Sequence, residues 1–365
     1  MRRIPAVERV FADRERAYVF PGDPAWAGDP RDYRVHEQAV AEGATAAWLD
    51  MRFSSHHRHL TELIERAELV YAHTSHSAQH LLPYYATGKV VTDLHGIAPE
   101  EELLQGRPGR AAFYGALEEA MVRGSAALVV VTDAMVAHLR QKYPGLDTPT
   151  VVLPIVEDVG AGVPLERPTR ARPRVVYAGG RQRGQNVDRM LDVGAACRAR
   201  RPPRLYTAAP DPLRRLARAR GVLDAVQVAT AAPEKLAAIY GDADLGFVLR
   251  DDSAVNRVSC PTKLSEYLAC GVVPIVDLVE IGDFAAHGYG YVRAADLLAD
   301  RLPDAAALDR MRRTNRAVFE RVQRRYEQGA AALREVDRFG NWGFAGRGAT
   351  LVATGLRSEE RRVGK

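Results

Sequence analysis

The chain has 365 residues, 47% of them hydrophobic and 27% charged, which is enough for two ordinary domains and places it among soluble globular proteins rather than disordered or fibrous ones. Its three cysteines, Cys197, Cys260 and Cys270, form no C-x-x-C pair, so the pattern suits neither a disulfide framework nor a cysteine zinc site and points to a reducing, cytoplasmic setting. The net charge of +5 fits an anionic partner such as a diphosphate or a membrane surface, but there is no zinc-finger spacing or aromatic RNA-binding motif for nucleic acid, no apolar run near the ~20 residues of a membrane span, and no apolar core of a secretory leader at the N-terminus.

Taken in chain order, periodicity predicts a strand over 16–20, a turn-rich loop over 21–30, a helix over 34–42 and a strand over 44–49. A helix over 60–66, strands over 68–72 and 89–94, a helix over 111–123 and a strand over 127–131 follow. A helix over 134–143, capped by Thr132 or Asp133, and a strand over 150–154 close this half. Residues 157–173 carry Gly, Pro and charge without an apolar period and read as a linker between domains. The pattern then restarts with a strand over 174–178, a helix over 186–198, strands over 204–207 and 226–229 around a helix over 212–220, a helix over 233–240 and a strand over 245–249. Strands alternating with helices imply an α/β chain with parallel, doubly wound sheets, divided into domains over 1–156 and 174–340.

Next comes a turn, a short helix and a buried strand over 260–276. Pro261 suits a helix start, Leu264, Leu268 and Ala269 form an apolar stripe, and Gly271 suits a left-handed C-terminal cap. Val272 to Val276 is apolar on both faces, as a strand inside a parallel sheet requires. A long helix over 305–334 sets Leu308, Met311, Asn315, Val318, Val322 and Tyr326 along one face. Arg310, Arg312, Arg313, Arg316, Arg321, Arg324 and Arg325 lie opposite. That basic face reads either as a surface for anionic lipid or as a solvated helix face. Residues 341–365 read as an unfolded tail, whose last stretch, Arg357 to Lys365, is set aside from functional reasoning.

Three places carry chemistry. At Tyr177–Asn186 a strand ends, Gly179 and Gly180 let backbone approach a ligand, and a helix begins, whose free N–H groups favour an anion. Arg181 and Arg183 add planar cationic donors suited to a diphosphate, with Gly184 between them and the helix. At Thr92–Glu101, Asp93 and His95 follow a strand in a loop broken by Gly96 and Pro99; they read either as substrate-facing groups or as side chains that satisfy loop backbone. Glu266 is a lone carboxylate within the apolar design of 260–276, placed either to accept hydrogen bonds from sugar hydroxyls or to face solvent. The histidines His73, His76 and His80, and the cluster His56, His57 and His59, lack the H-E-x-x-H arrangement or a nearby cysteine, so no metal site is expected. Asp251-Asp252 reads as loop polarity and not as a metal-binding D-x-D, and no G-x-S-x-G elbow supports a serine hydrolase.

The run Pro261 to Val276, PTKLSEYLACGVVPIV, resembles the nucleotide-sugar motif of retaining GT-B glycosyltransferases of the large family-four group. The segment Asp93 to Glu101, DLHGIAPEE, resembles the D-x-H-G-x-x-P-E-E segment of bacterial members. The resemblance covers roughly residues 60 to 280 and implies two facing Rossmann-like domains with a cleft between them. It implies transfer of a sugar, with retention, from a nucleotide diphosphate donor to a hydroxyl on a bacterial glycan, lipid-linked intermediate or small glycoside. By the same resemblance Glu266 binds the donor ribose, with Thr262 and Lys263 in the same motif. Arg183 matches the usual lysine of the diphosphate-binding pair, with Arg181 as its first member. Gly179, Gly180 and Gly184 line the phosphates, and Asp93 and His95 face the acceptor side. No cofactor or divalent metal is expected, since the basic pair neutralises the leaving diphosphate, and no side-chain base is needed, since the departing phosphate can accept the acceptor's proton. The partners implied are a nucleotide sugar and a glycan or lipid-linked acceptor, with peripheral membrane contact an open addition and no nucleic acid. The sequence departs from the pattern at Val258, where many members carry a second glutamate; Asn256 and Ser259 are the polar residues nearby. Two rivals stay open: a non-catalytic GT-B-like scaffold subunit, and a sugar-nucleotide epimerase on the same fold.

Overall fold

The computed structural model describes residues 7, 9–22, 35–156, 159–160, 162–166, 170, 172–181, 183–196, 202–339 and 349–354, without the side chains of 22, 76–77, 183, 336–339 and 349–354. Cys197, much of the 157–173 linker and residues 341–348 and 355–365 lie outside the described residues. The chain divides into two compact units, Met1–Leu153 with Glu327–Lys365, and Pro154–Tyr326.

The first unit is built on eight strands: β1 (Arg16–Gly22), β2 (His36–Ala41), β3 (Ala44–Asp50), β4 (Ala67–His73), β5 (Val90–Leu94), β6 (Ala127–Val130), β7 (Thr150–Val152) and, from the far end of the chain, β14 (Ala349–Thr354). Their order is β2-β3-β1-β14-β4-β5-β6-β7, parallel throughout except for β2. β4, β5 and β6 are apolar runs buried almost throughout, as a parallel sheet demands. The helix Asp133–Lys142 starts where Thr132 accepts a hydrogen bond from the Met135 N–H at 3.0 Å.

Two expectations fail in this unit. The helix expected over 34–42 is not found among its described residues, 35–42: His36–Ala41 is a strand antiparallel to β3, with His36 opposite Trp48 and Gln38 opposite Ala46. Gly43, at φ +63°, supplies the left-handed backbone that the return requires. All six residues of β2 are exposed on the sheet edge, so no apolar alternation marks them as a strand. Nor is 341–365 wholly a tail. Ala349–Thr354 lies between β1 and β4, with Val352 opposite both Tyr18 and Tyr71. It pairs the ladder edges that β1 and β4 would otherwise leave open in the middle of the sheet.

The second unit holds β8 (Val175–Ala178), β9 (Arg204–Tyr206), β10 (Gln227–Ala229), β11 (Leu245–Val248), β12 (Val273–Val276) and β13 (Val292–Arg293), all parallel, in the order β10-β9-β8-β11-β12-β13. Counted from β8, this is the 3-2-1-4-5-6 order of the doubly wound dinucleotide-binding sheet. Strand order reverses between β8 and β11, and the crevice at their carboxyl ends is where such sheets bind ligands. Tyr177, Met190, Leu205, Leu213, Leu245, Phe247 and Ile275 form the centre of the core, and each such apolar side chain stabilises the fold by roughly 1.5–3 kcal/mol.

The helix Ala305–Phe339 contributes to both units, through Tyr326 to the second and from Glu327 to the first. Leu308, Asn315, Val318 and Val322 are buried, as their spacing predicts. Asn315 holds the Gly290 peptide by both groups, accepting from its N–H at 2.6 Å and donating to its carbonyl at 2.9 Å. The basic face is smaller than expected, because Arg312 is buried and donates to Asp244 at 2.7 Å. Arg310, Arg313, Arg321 and Arg324 remain exposed. Among the described residues no helix is long and apolar enough to cross a membrane.

Candidate functional site

The switch point of the second unit gathers most of the residues singled out in the sequence. β8 ends at Ala178, and the turn after it is shaped from below by Tyr177, whose hydroxyl donates to the Gly180 carbonyl at 2.5 Å. Lys263 reaches this turn from the helix Thr262–Ala269: its ammonium donates to the Ala178 carbonyl and lies 4.4 Å from the centre of the Tyr177 ring. A Cβ on Gly179 would crowd that ammonium and the Tyr177 hydroxyl, and one of them would have to shift. Lys263 is thus spent on the backbone of the turn. Burial pushes the Tyr177 phenol well above its ordinary value.

Arg181 is exposed on the turn. Arg183 opens a short 3-10 turn, Arg183–Gln185, and its side chain lies outside those described. Asn186 follows at φ +51°, a conformation asparagine tolerates better than most residues. Its side chain donates to Asp251 at 2.8 Å, and the helix Val187–Ala196 begins immediately after it.

Sequence reasoning missed Arg250. It follows the apolar strand β11, half-buried, and donates to Asn256 Oδ1 at 3.2 Å. Asn256 in turn donates to the Asp251 carbonyl at 2.8 Å, which fixes the loop. Arg250 Nη1 lies 3.5 Å from where a Cβ on Gly184 would stand. Seventy positions separate Arg250 from the Gly-Gly turn, and only the pairing of β8 with β11 brings them together. The one local signal is an arginine at the carboxyl end of an apolar strand, the edge at which α/β sheets bind ligands.

The helix Thr262–Ala269 ends as the sequence predicts. Gly271 adopts φ +68°, its N–H bonds to Leu268 at 3.3 Å, and the Val272 N–H reaches Tyr267 at 2.9 Å, the pair of bonds that closes a glycine cap. Thr262 is half-buried at the start of this helix. Glu266 does not face solvent: it is 4% exposed, and its Oε2 accepts from Tyr240 at 2.8 Å. Tyr267 runs beneath β8 and β11 and occupies the space where Gly246 lacks a side chain. Val258, in the place of the second glutamate of the resembled motif, is buried.

In the first unit β4 and β5 pair so that His73 stands opposite Asp93. Asp93 is fully buried, and its Oδ2 is a hub: it accepts from the Tyr71 hydroxyl at 2.7 Å, and it lies 3.0 Å from His95 Nε2 and 3.6 Å from His73 Nδ1. Asp93 and His95 are therefore together, with Tyr71 and His73 as unanticipated neighbours. Two imidazoles and a carboxylate with ligand atoms within 4.8 Å of one another are a donor set that suits a divalent cation. Asp93 Oδ2, the oxygen near both imidazoles, also accepts from Tyr71. Thr74, next in the chain, is a β-branched residue at φ +68°, a strained position beside this cluster. The other histidines divide differently. His56 accepts from the Asp50 N–H at 2.8 Å, His57 bonds the Met51 carbonyl at 2.8 Å, and both hold the turn before the helix Ser54–Arg66. His80 sits beside Gln79 at 3.3 Å, and burial, then the charge of His57, lowers its pKa. The His76 side chain lies outside those described.

No protein-family model matches the chain, and no curated protein matches it by sequence. Solved structures do match. Sucrose-phosphate synthase from Thermosynechococcus elongatus superimposes with a TM-score of 0.60 at 15% identity, covering 88% of this chain and 98% of that one. An E. coli trehalose-6-phosphate protein bound with UDP-2-fluoro glucose gives 0.62 at 12% identity, over 92% and 95%. Anabaena HepE in complex with UDP-glucose gives 0.60 at 12%, over 87% and 99%. The fold is that of the GT-B glycosyltransferases. At these identities the likeness shows the GT-B fold and leaves the chemistry to be argued from the residues.

Proposed function

We propose that this chain is a glycosyltransferase that moves a sugar from a nucleotide diphosphate donor to a hydroxyl acceptor, with retention, in bacterial glycan or glycolipid synthesis. The observation that carries the reading is the switch point itself: a Gly-Gly turn after β8, flanked by arginines and by the helix that bears Glu266, at the ligand-binding edge of a 3-2-1-4-5-6 sheet. On this reading Glu266 accepts hydrogen bonds from the donor ribose, its second carboxylate oxygen held by Tyr240. Backbone at Gly179, Gly180 and Gly184 lines the phosphates, and Arg181 and Arg183 face the diphosphate. Thr262 and Lys263 brace the turn and the helix start.

In the reaction the bond between the anomeric carbon and the β-phosphate oxygen breaks, the acceptor oxygen bonds to that carbon on the same face, and the acceptor's proton passes to the departing phosphate. Negative charge grows on the leaving diphosphate, and cations fixed in advance stabilise it without reorganisation. No divalent metal is assigned to this step. In the first unit Asp93 and His95 are the acceptor-side pair, with Asp93 orienting the imidazole at 3.0 Å. The relatives crystallised with UDP-sugars make UDP the first donor nucleotide to try.

The test is a thermal-shift titration with UDP, GDP, ADP, TDP and CMP on the wild type and on Glu266→Gln. A ligand at 100 times its dissociation constant adds about 2.7 kcal/mol of stability. One diphosphate that stabilises the wild type and is weakened by Glu266→Gln supports the reading, and the matching nucleotide sugar should then yield free nucleoside diphosphate and a new glycoside. Failure of every nucleotide on a folded sample favours the scaffold alternative, for which Val258 in place of the second glutamate speaks.

A further inference from the structure

We infer that Arg250 is the central cation of an anion site at the β8–β11 switch point, built to take a phosphate group and, on the reading proposed above, the diphosphate of the donor. A guanidinium stays charged in any protein, and taking it out of water is unfavourable unless something neutralises it. Among the described residues Arg250 has no carboxylate within ion-pair distance, and its guanidinium makes one hydrogen bond, to the neutral amide oxygen of Asn256 at 3.2 Å. The adjacent acids are committed elsewhere. Asp251 accepts from Asn186 at 2.8 Å, and Asp252 is held by both ends of Arg257 at 2.7 and 2.8 Å. Burial pulls Arg250 below the ordinary arginine value, and the hydroxyl of Tyr177 is the one group that offsets it.

Other guanidiniums of this unit are treated differently. Arg312, buried more deeply, is flanked by Asp244 and Asp309. Arg170 donates to both oxygens of Asp244 at 3.1 Å and to Asp242 at 3.3 Å. At Arg250 the described residues supply an orienting amide and no counter-charge. The guanidinium lies beside Gly184, where the lack of a side chain leaves room for a ligand next to the backbone. Lys263 is bound to the Ala178 carbonyl and Arg181 is exposed on the turn, so among the described side chains Arg250 is the cation held beside the turn. A planar fork of donors with one edge fixed by Asn256 matches the tetrahedral oxygens of a phosphate. Asn256 is the positioning residue of this pair.

The experiment measures binding of inorganic pyrophosphate and of the five nucleotides to wild type, Arg250→Met, Arg250→Lys, Asn256→Ala and, as a control, Arg257→Ala, by calorimetry and thermal shift. Pyrophosphate should bind the wild type, and Arg250→Met should weaken it by about 10- to 100-fold, the loss expected for charge-assisted hydrogen bonds. Arg250→Lys and Asn256→Ala should fall between, and Arg257→Ala should bind as wild type. Without ligand, the midpoint of Arg250→Met should equal or exceed that of the wild type, because an uncompensated charge has been removed. An Arg250→Met variant that melts earlier or fails to fold shows a structural guanidinium and overturns the inference, as does pyrophosphate binding unchanged by the substitution. Arg250-dependent pyrophosphate binding with no response to any nucleotide leaves this site standing and removes the nucleotide-sugar reading. Nucleotides that bind wild type and Arg250→Met alike do the reverse. A wild type that binds neither removes both.

Discussion

Replacing Asp244 by asparagine should unravel the charge knot beneath β11. The carboxylate is 3% exposed, accepts from Arg312 at 2.7 Å, from Arg170 at 3.1 Å on each oxygen and from the Arg174 N–H at 2.9 Å. Asparagine keeps the shape, removes the charge and can turn a donor toward two guanidiniums. Arg312 is then left buried with only the more exposed Asp309 as its counter-charge. Breaking a buried pair in this way costs about 3–5 kcal/mol, and the remaining Asp309 and the partial exposure of Arg170 put the expected loss near the lower end, about 3 kcal/mol. Urea unfolding at neutral pH, followed by circular dichroism, reads the loss as a lower midpoint with an unchanged slope. The double variant Asp244→Asn with Arg312→Met should recover part of it, since the stranded charge is gone, giving a coupling energy of about 1–3 kcal/mol. A single-variant loss below about 1 kcal/mol, or strict additivity in the double variant, would refute the picture of a buried, mutually dependent pair.

Tyr240→Phe removes the hydroxyl that holds buried Glu266; chemical denaturation should show a loss of about 1.5–3 kcal/mol, and nucleotide binding should weaken with it. Gly246→Ala drives a methyl group into the Tyr267 ring, and the thermal midpoint should fall by the equivalent of about 1–3 kcal/mol. Burial opposes the charge of Glu100, but hydrogen bonds from His138 at 3.3 Å and Lys142 at 2.7 Å outweigh it and lower the carboxyl from its ordinary 4.5 to about 2. A depressed carboxyl pKa contributes stability that is present above the unfolded value and lost as pH falls through the folded one. The wild type should therefore lose about 2 kcal/mol relative to Glu100→Gln between pH 4.5 and 2, read by urea unfolding across that window.

The local grammar of this chain is legible in its sequence. Thr132 caps a helix, Gly271 closes another, and the apolar runs at β4, β5, β6, β11 and β12 are buried strands, because each of these choices is decided by neighbours within a turn or two. The same local view finds the Gly-Gly turn after β8, the Asp93–His95 pair and Glu266, which stand next to turn formers or inside a motif. It fails where the deciding partner is far along the chain. β2 has no buried face, so nothing in its own residues separates strand from helix, and pairing with β3 settles it. β14 is recruited from the other end of the chain by two open ladders. Arg312 sits in a row of arginines that look alike in sequence, and only Asp244, 68 positions away, makes it the buried one. Tyr71 and His73 reach Asp93 through the register of β4 on β5, and Arg250 reaches the glycine turn through the pairing of β11 with β8. Sequence fixes what each segment prefers within its own length. Tertiary structure decides which side chains meet, because sheet register joins residues that share no local signal.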